Sequence, residues 1–151
     1  MRKIKFRGIS KKTGEFVFGD LVINKSTETY RIFSDFALCV DNVEYKGTEL
    51  IGCSGSAEIV LKETIGQLTG LKDKNGKQIY EGDIVKHAYD GISEVVFGKL
   101  GYDGSYNGLS GFALKDWYQE EGFYELNYYF DNKDMEIIGN VHKNKELLEA
   151  K

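Results

Sequence analysis

Apolar and polar positions alternate with a period of two along most of this chain, which predicts strands rather than helices. Lys3-Ile4-Lys5-Phe6-Arg7 sends Ile4 and Phe6 to one face of a strand and its basic side chains to the other. Lys12-Thr13-Gly14 then turns the chain into a β-branched and aromatic run from Glu15 to Ile23, so a hairpin is expected, with Gly19 marking a bulge or a close backbone contact. Shorter strands are expected at 29–33, 36–40 and 57–61. After a glycine-rich stretch, residues 83–89 and 92–100 read as a second hairpin turning at Asp90-Gly91. Residues 101–108 hold glycines, Asp103, Asn107 and two tyrosines and read as a loop. Strand character resumes at 112–118, in the alternation Tyr124, Leu126, Tyr128, Phe130, and at 135–141. Asn144 is placed to cap a short helix over 145–150 that buries Leu147 and Leu148.

Composition supports a folded chain. The 151 residues are 41% hydrophobic and 13% aromatic, enough for a core. Proline is absent, so turns depend on 18 glycines and their Asn and Asp neighbours. The expected fold is mainly β, in two β-rich lobes of which the C-terminal one is SH3-like or barrel-like, with a short C-terminal helix. The expected divisions are an N-terminal lobe at 1–62, a glycine-rich turn segment at 63–78, a barrel-like lobe at 79–142 and a helical tail at 143–151.

Charge narrows the partners. The net charge is -4, yet the first fifteen residues carry Arg2, Lys3, Lys5, Arg7, Lys11 and Lys12 against Glu15. Residues 116–136 invert this, with Asp116, Glu120, Glu121, Glu125, Asp131, Asp134 and Glu136 against Lys133. Overall acidity argues against non-specific nucleic-acid binding. The basic opening is broken by Gly8 and Ser10 before any apolar run of signal length, and no eighteen-residue apolar stretch occurs, so neither export nor a membrane span is expected. Cys39 and Cys53 read as reduced, buried cytoplasmic thiols.

The segment from Thr64 to Lys86 poses the main question, whether it is a ligand loop or a bend. Gly70 to Gln78 has five residues between its glycines where a phosphate loop has four, and glutamine where that loop has Ser or Thr. Strand rather than helix follows it. An EF-hand needs glycine at position six and an acid at twelve, but Gly76 falls at position four from Asp73, and Lys72, Lys74 and Lys77 repel a cation. A tight turn from Asp73 through Asn75 and Gly76 accounts for the residue types, with positive φ at Asn75 or Gly76. Gly82-Asp83 reads as a second bend, with a self-bonding carboxylate ahead of a strand.

Other chemistry is sparser. Glu81 and Asp83 at i and i+2, with His87, define a hydrolase alternative. His87 and His142 with the two cysteines have no zinc spacing. Trp117, Tyr118, Tyr128 and Tyr129 sit among acids as core or as a partner surface. Lys72, Lys74, Lys77 and Lys86, with Tyr102 and Tyr106 for stacking, make up a nucleic-acid alternative.

Three blocks of this chain, KIKFRGISKKTGEFVFGDLV, TIGQLTGLKDKNGKQIYEGDIVK and MEIIGNVHKNKELLE, resemble those of the YopX protein family in order and spacing, from Lys3 to Glu149. The chain departs from the family's pattern in lacking proline after Asn144, where Lys145 stands, and ahead of Thr64, where Glu63 stands. The resemblance implies a phage or prophage accessory protein made inside a bacterial cell. It transfers no catalytic residue, and Gly66, Gly70, Asp73, Asn75, Gly76, Gly82 and Asp83 carry over as motif positions whose expected role is turn formation. The expectation is a cytoplasmic, non-enzymatic module without a cofactor that binds itself or a host or phage protein.

Overall fold

The computed structural model describes residues 4–34, 44–46, 49–52, 57–87, 91–102, 105–115, 123–125 and 135–149. The chain divides into two units, one spanning Lys3–Gln67 and the other running from Leu68 onward.

In the N-terminal unit, β1 (Phe6–Ile9), β2 (Phe16–Asn24), β3 (Thr29–Phe33) and β6 (Ala57–Ile59) are antiparallel neighbours in the order β6-β3-β2-β1. β4 (Glu44–Lys46) and β5 (Glu49–Gly52) form a separate ladder. The turn after β1 is organised by Ser10, whose Oγ accepts from the N–H groups of Lys12 and Thr13 and donates to Glu58 Oε2 at 2.9 Å. Thr64, in a 3-10 turn over Lys62–Thr64, accepts the Ile9 N–H and donates to the Leu61 carbonyl, both at 2.8 Å. These hydroxyls satisfy backbone groups that no ladder reaches. Ile32, Phe33 and Val60 are buried, and the Arg7 guanidinium lies over the Phe16 ring at 4.8 Å. At Gly19 the β3 backbone comes so close that a Cβ would stand 1.8 Å from the Phe33 carbonyl oxygen. Glycine is required there by space.

The chain passes into the C-terminal unit within β7 (Gly66–Lys72), whose first residues pair with β1 and whose last pair with β8 (Gln78–Tyr80). The register shifts between Leu68 and Lys72, and Gly70 takes φ +90°. Thr69 Oγ donates to the Ile79 carbonyl across this bulge at 2.8 Å. β9 (Asp83–His87), β10 (Gly91–Tyr102), β11 (Ser105–Lys115), β12 (Phe123–Glu125) and β13 (Glu136–Asn140) form a five-stranded antiparallel sheet. Cross-strand pairs Val85 with Ser93, Val95 with Leu114 and Phe97 with Phe112 share one face. On that side Ile79, Val85, Val95, Phe112, Leu114 and Met135 make the core, flanked by Leu71 and Ile137. The helix α1 (Glu146–Glu149) packs against β10 with Leu148 buried.

Two β-rich lobes are present, but the C-terminal one is not a barrel. Closure requires the last strand to bond back to the far side of the sheet. Among the described residues β13 pairs with β9, while the opposite side ends at β11 and β12, so the sheet is open. Short strands bounded by turns are common to barrels and open sheets, and closure depends on tilt and shear, which alternation does not encode. Within 101–108, where a loop is expected, the described residues 101–102 and 105–108 instead belong to β10 and β11, with Gly101 opposite Tyr106 and Tyr102 opposite Ser105. Of the other strands expected, the one at 36–40 lies outside the described residues, as does the part of the alternation after Glu125.

Gly19→Ala is expected to cost about 2–3 kcal/mol, as an added methyl does in a tightly packed site, and Ile79→Ala about 2–5 kcal/mol from loss of core packing. Denaturant unfolding of both variants measures these costs.

Candidate functional site

The motif-bearing stretch forms two bends, both tied to the end of the chain. In the first, the N–H groups of Asn75 and Lys77 donate to Asp73 Oδ1 at 2.9 and 2.8 Å. The Gly76 N–H donates to the Asp73 carbonyl and the Asp73 N–H to the Lys77 carbonyl, with Gly76 at φ +80°. Two further bonds leave the turn: Lys74 N–H donates to the Met135 carbonyl at 2.8 Å, and Ile137 N–H donates to Asp73 Oδ2 at 3.2 Å. Every backbone N–H from Asp73 to Lys77 is thereby engaged inside the protein. An anion-binding loop must aim such groups outward, so this geometry opposes the phosphate-loop reading. A cation fares no better, because both Asp73 oxygens already accept backbone donors and the residue is only 6% exposed.

Gly82 makes the second bend. Its φ is +80°, and its carbonyl accepts Asn140 Nδ2 at 2.7 Å and the Val141 N–H at 3.0 Å. Its own N–H donates to the Val95 carbonyl. Positive φ at a position packed beside Val141 and Asn140 calls for glycine. Asp83, 2% exposed, accepts the Tyr80 N–H at 2.8 Å through Oδ2. Gly66 is buried in β7 opposite Arg7.

The hydrolase residues are not gathered into one site. Glu81 lies in the turn before β9, so it does not alternate with Asp83 along a strand. Asp83 and His87 occupy opposite ends of β9, four residues and roughly 13 Å apart at strand rise. His87 Nε2 lies 3.1 Å from Ser93 Oγ, with its ring across Gly91. His142 is exposed, and Cys39 and Cys53 lie outside the described residues. Among the described residues no group of three or more His, Cys, Asp or Glu is placed to hold a metal ion.

The lysines of the nucleic-acid alternative are divided by an acid. Lys74 Nζ pairs with Glu136 Oε2 at 2.5 Å, and Lys86 stands directly across from Glu136 in the ladder, while Lys72 and Lys77 are exposed on the β7 and β8 hairpin. Tyr102 and Tyr106 stand at the tip of the β10 and β11 hairpin. Trp117, Tyr118, Tyr128 and Tyr129 lie outside the described residues. Sequence reasoning missed Met135, Ile137 and Asn140; the first two act through backbone groups, which leave no residue-type signal.

Two carboxylates are shifted in opposite directions. Burial works against the charge on Asp73, but the N–H groups of Lys77, Ile137 and Asn75 outweigh it and hold the carboxyl below its ordinary value. Burial pushes Glu94 up, Lys115 across the ladder opposes this, and Glu81 adds to it. Asp73 therefore contributes stability above the unfolded carboxylate pKa, near ~3.9, that is lost as pH falls through its lower folded value. Glu94 does the reverse, since stability declines as pH rises from the unfolded value through its higher folded one.

Asp73→Ala is expected to cost about 2–3 kcal/mol at neutral pH, with the gap to wild type narrowing below about pH 4. Glu94→Gln is expected to raise neutral-pH stability. Urea unfolding across pH 3 to 7 measures both.

No helix among the described residues is long and apolar enough to cross a membrane. Comparison with curated proteins finds no match. Among solved structures, the chain is similar to the crystal structure of protein EF1440 from Enterococcus faecalis, at 25% identity and a TM-score of 0.51, covering 98% of this chain and 99% of that one. The family model described as YopX protein matches residues 5–149. That match takes in both bends and the strand they are tied to, and the chain belongs to the YopX protein family.

Proposed function

We propose that this phage or prophage protein is a non-enzymatic β module of the bacterial cytoplasm that acts by binding protein, a second copy of itself or a host or phage partner. The observation that carries this reading is exposed apolar surface. In the N-terminal unit Ile4 is 57% exposed, Phe18 48%, Ile23 48% and Ile59 40%. By register Phe18 falls on the same face of the sheet as Val22, Arg31 and Ile59, so Phe18 and Ile59 belong to one exposed apolar surface of the kind that marks contact sites. Ile59 stands across the ladder from the half-buried Arg31, so apolar contact and positive charge are set side by side there. That pairing suits a partner with aromatic and acidic character.

Support for a non-enzymatic role comes from the bends, whose polar groups are taken up by backbone bonds, and from the separation of Asp83 and His87 along β9.

Light scattering behind size exclusion is expected to show a mass that rises with concentration, and Phe18→Ser combined with Ile59→Ser is expected to return it to the monomer with unchanged circular dichroism. A constant monomer mass, together with no protein retained from phage-infected cell extract by immobilised wild type beyond what the double variant retains, would sink the reading.

A further inference from the structure

We infer that residues 136–149, β13 with α1, form a strap that opens as one unit, latched by Asp73 at its start and by Gly82 with Asn140 farther along. Three observations lead there. First, β13 is an edge strand whose ladder to β9 is interrupted between Ile137 and Gly139, so its pairing is weaker than an unbroken ladder. Second, α1 has four residues, far below the length at which a helix holds itself together. Its docking depends on Leu148, which is 8% exposed, and on Leu147 Cδ1, which lies 2.7 Å from where a Cβ on Gly139 would stand. Helix and strand therefore hold each other. Third, bonds from outside the β9 ladder reach this segment at two points along it. Asp73 Oδ2 takes the Ile137 N–H while Met135 O takes the Lys74 N–H. Farther on, Gly82 O takes Asn140 Nδ2 and the Val141 N–H.

Met135, fully buried in the core, is the fixed end about which the strap swings. Opening would bare the backbone edge of β9 and lift Ile137 from the core and Leu148 from its buried place, which exposes less than unfolding the whole unit and so opens at lower free energy.

Asp73 divides its labour in a way that permits a clean cut. Oδ1 serves the turn through Asn75 and Lys77, and Oδ2 serves the strap through Ile137. Asparagine keeps one acceptor for the turn but turns an amide NH₂ toward the Ile137 N–H, donor against donor. Asp73→Asn therefore cuts the latch and spares the bend.

The test is amide hydrogen exchange on the full chain at neutral pH. In Asp73→Asn, amides of 136–149 are expected to exchange about ten-fold faster or more, the loss of one charge-assisted bond, while those of Val95 and Leu114 keep their wild-type rates. Lys74→Ala is expected to leave the strap unchanged, because an exposed ion pair contributes little. If Asp73→Asn does not fold, Asn140→Ala is expected to loosen the same residues from the second latch. Equal acceleration across β10 and β11, unaltered strap amides, or a Lys74→Ala variant as loose as Asp73→Asn would each overturn the inference.

Discussion

The C-terminal unit depends on a carboxylate whose two oxygens are both taken up by backbone N–H groups of its own chain. Asp73 gathers N–H groups from Asn75 and Lys77 beside it and from Ile137, 64 residues away. A buried carboxylate without such donors is costly to leave charged. With three of them its charge becomes a means of joining a tight turn to the closing strand. Both outer faces of that join are finished by the same few residues, since Lys74 contributes its backbone to Met135 and its side chain to Glu136. A glycine-rich stretch that reads as a candidate ligand loop is thus a fastening, and its polar groups are accounted for without any ligand.

Glu94 supplies the contrast. It is another carboxylate of the same unit, half-buried, yet it has an acidic neighbour in Glu81 and only Lys115 set against it. Burial opposes the charge on both carboxylates, yet their shifts run in opposite directions, and the groups around each make the difference.

What the sequence discloses is local. Hairpins between adjacent apolar runs, as at Lys12-Thr13-Gly14, follow from alternation and turn chemistry, and β1 with β2 forms there. The part of Asp73's bonding that goes to Asn75 and Lys77 is likewise a property of Asp at that place in a turn. The part that goes to Ile137 is invisible beforehand, because an amide N–H is the same on almost every residue. Strand β7 was hidden for a related reason: Gly66 and Gly70 depress strand propensity, and pairing with Phe6 and Arg7 on one side and Tyr80 on the other overrides them. Residues 101–102 and 105–108 misled through composition, since glycines and tyrosines that suit a loop also sit in a two-stranded ladder. The open edge of the sheet, in place of a closed barrel, belongs to global geometry that no single strand carries.

The latch between Asp73 and Ile137 also bears on how the unit assembles. The β10 and β11 hairpin joins near neighbours and closes quickly, whereas a contact spanning 64 residues must wait for a long excursion of chain to be gathered in. A chain without proline has no prolyl bond to isomerise, so the slowest common step in folding is missing. Seating β13 on the turn is then the natural last event, and the order of assembly follows the order in which a ribosome delivers the parts: the turn waits, complete, for β13 to arrive.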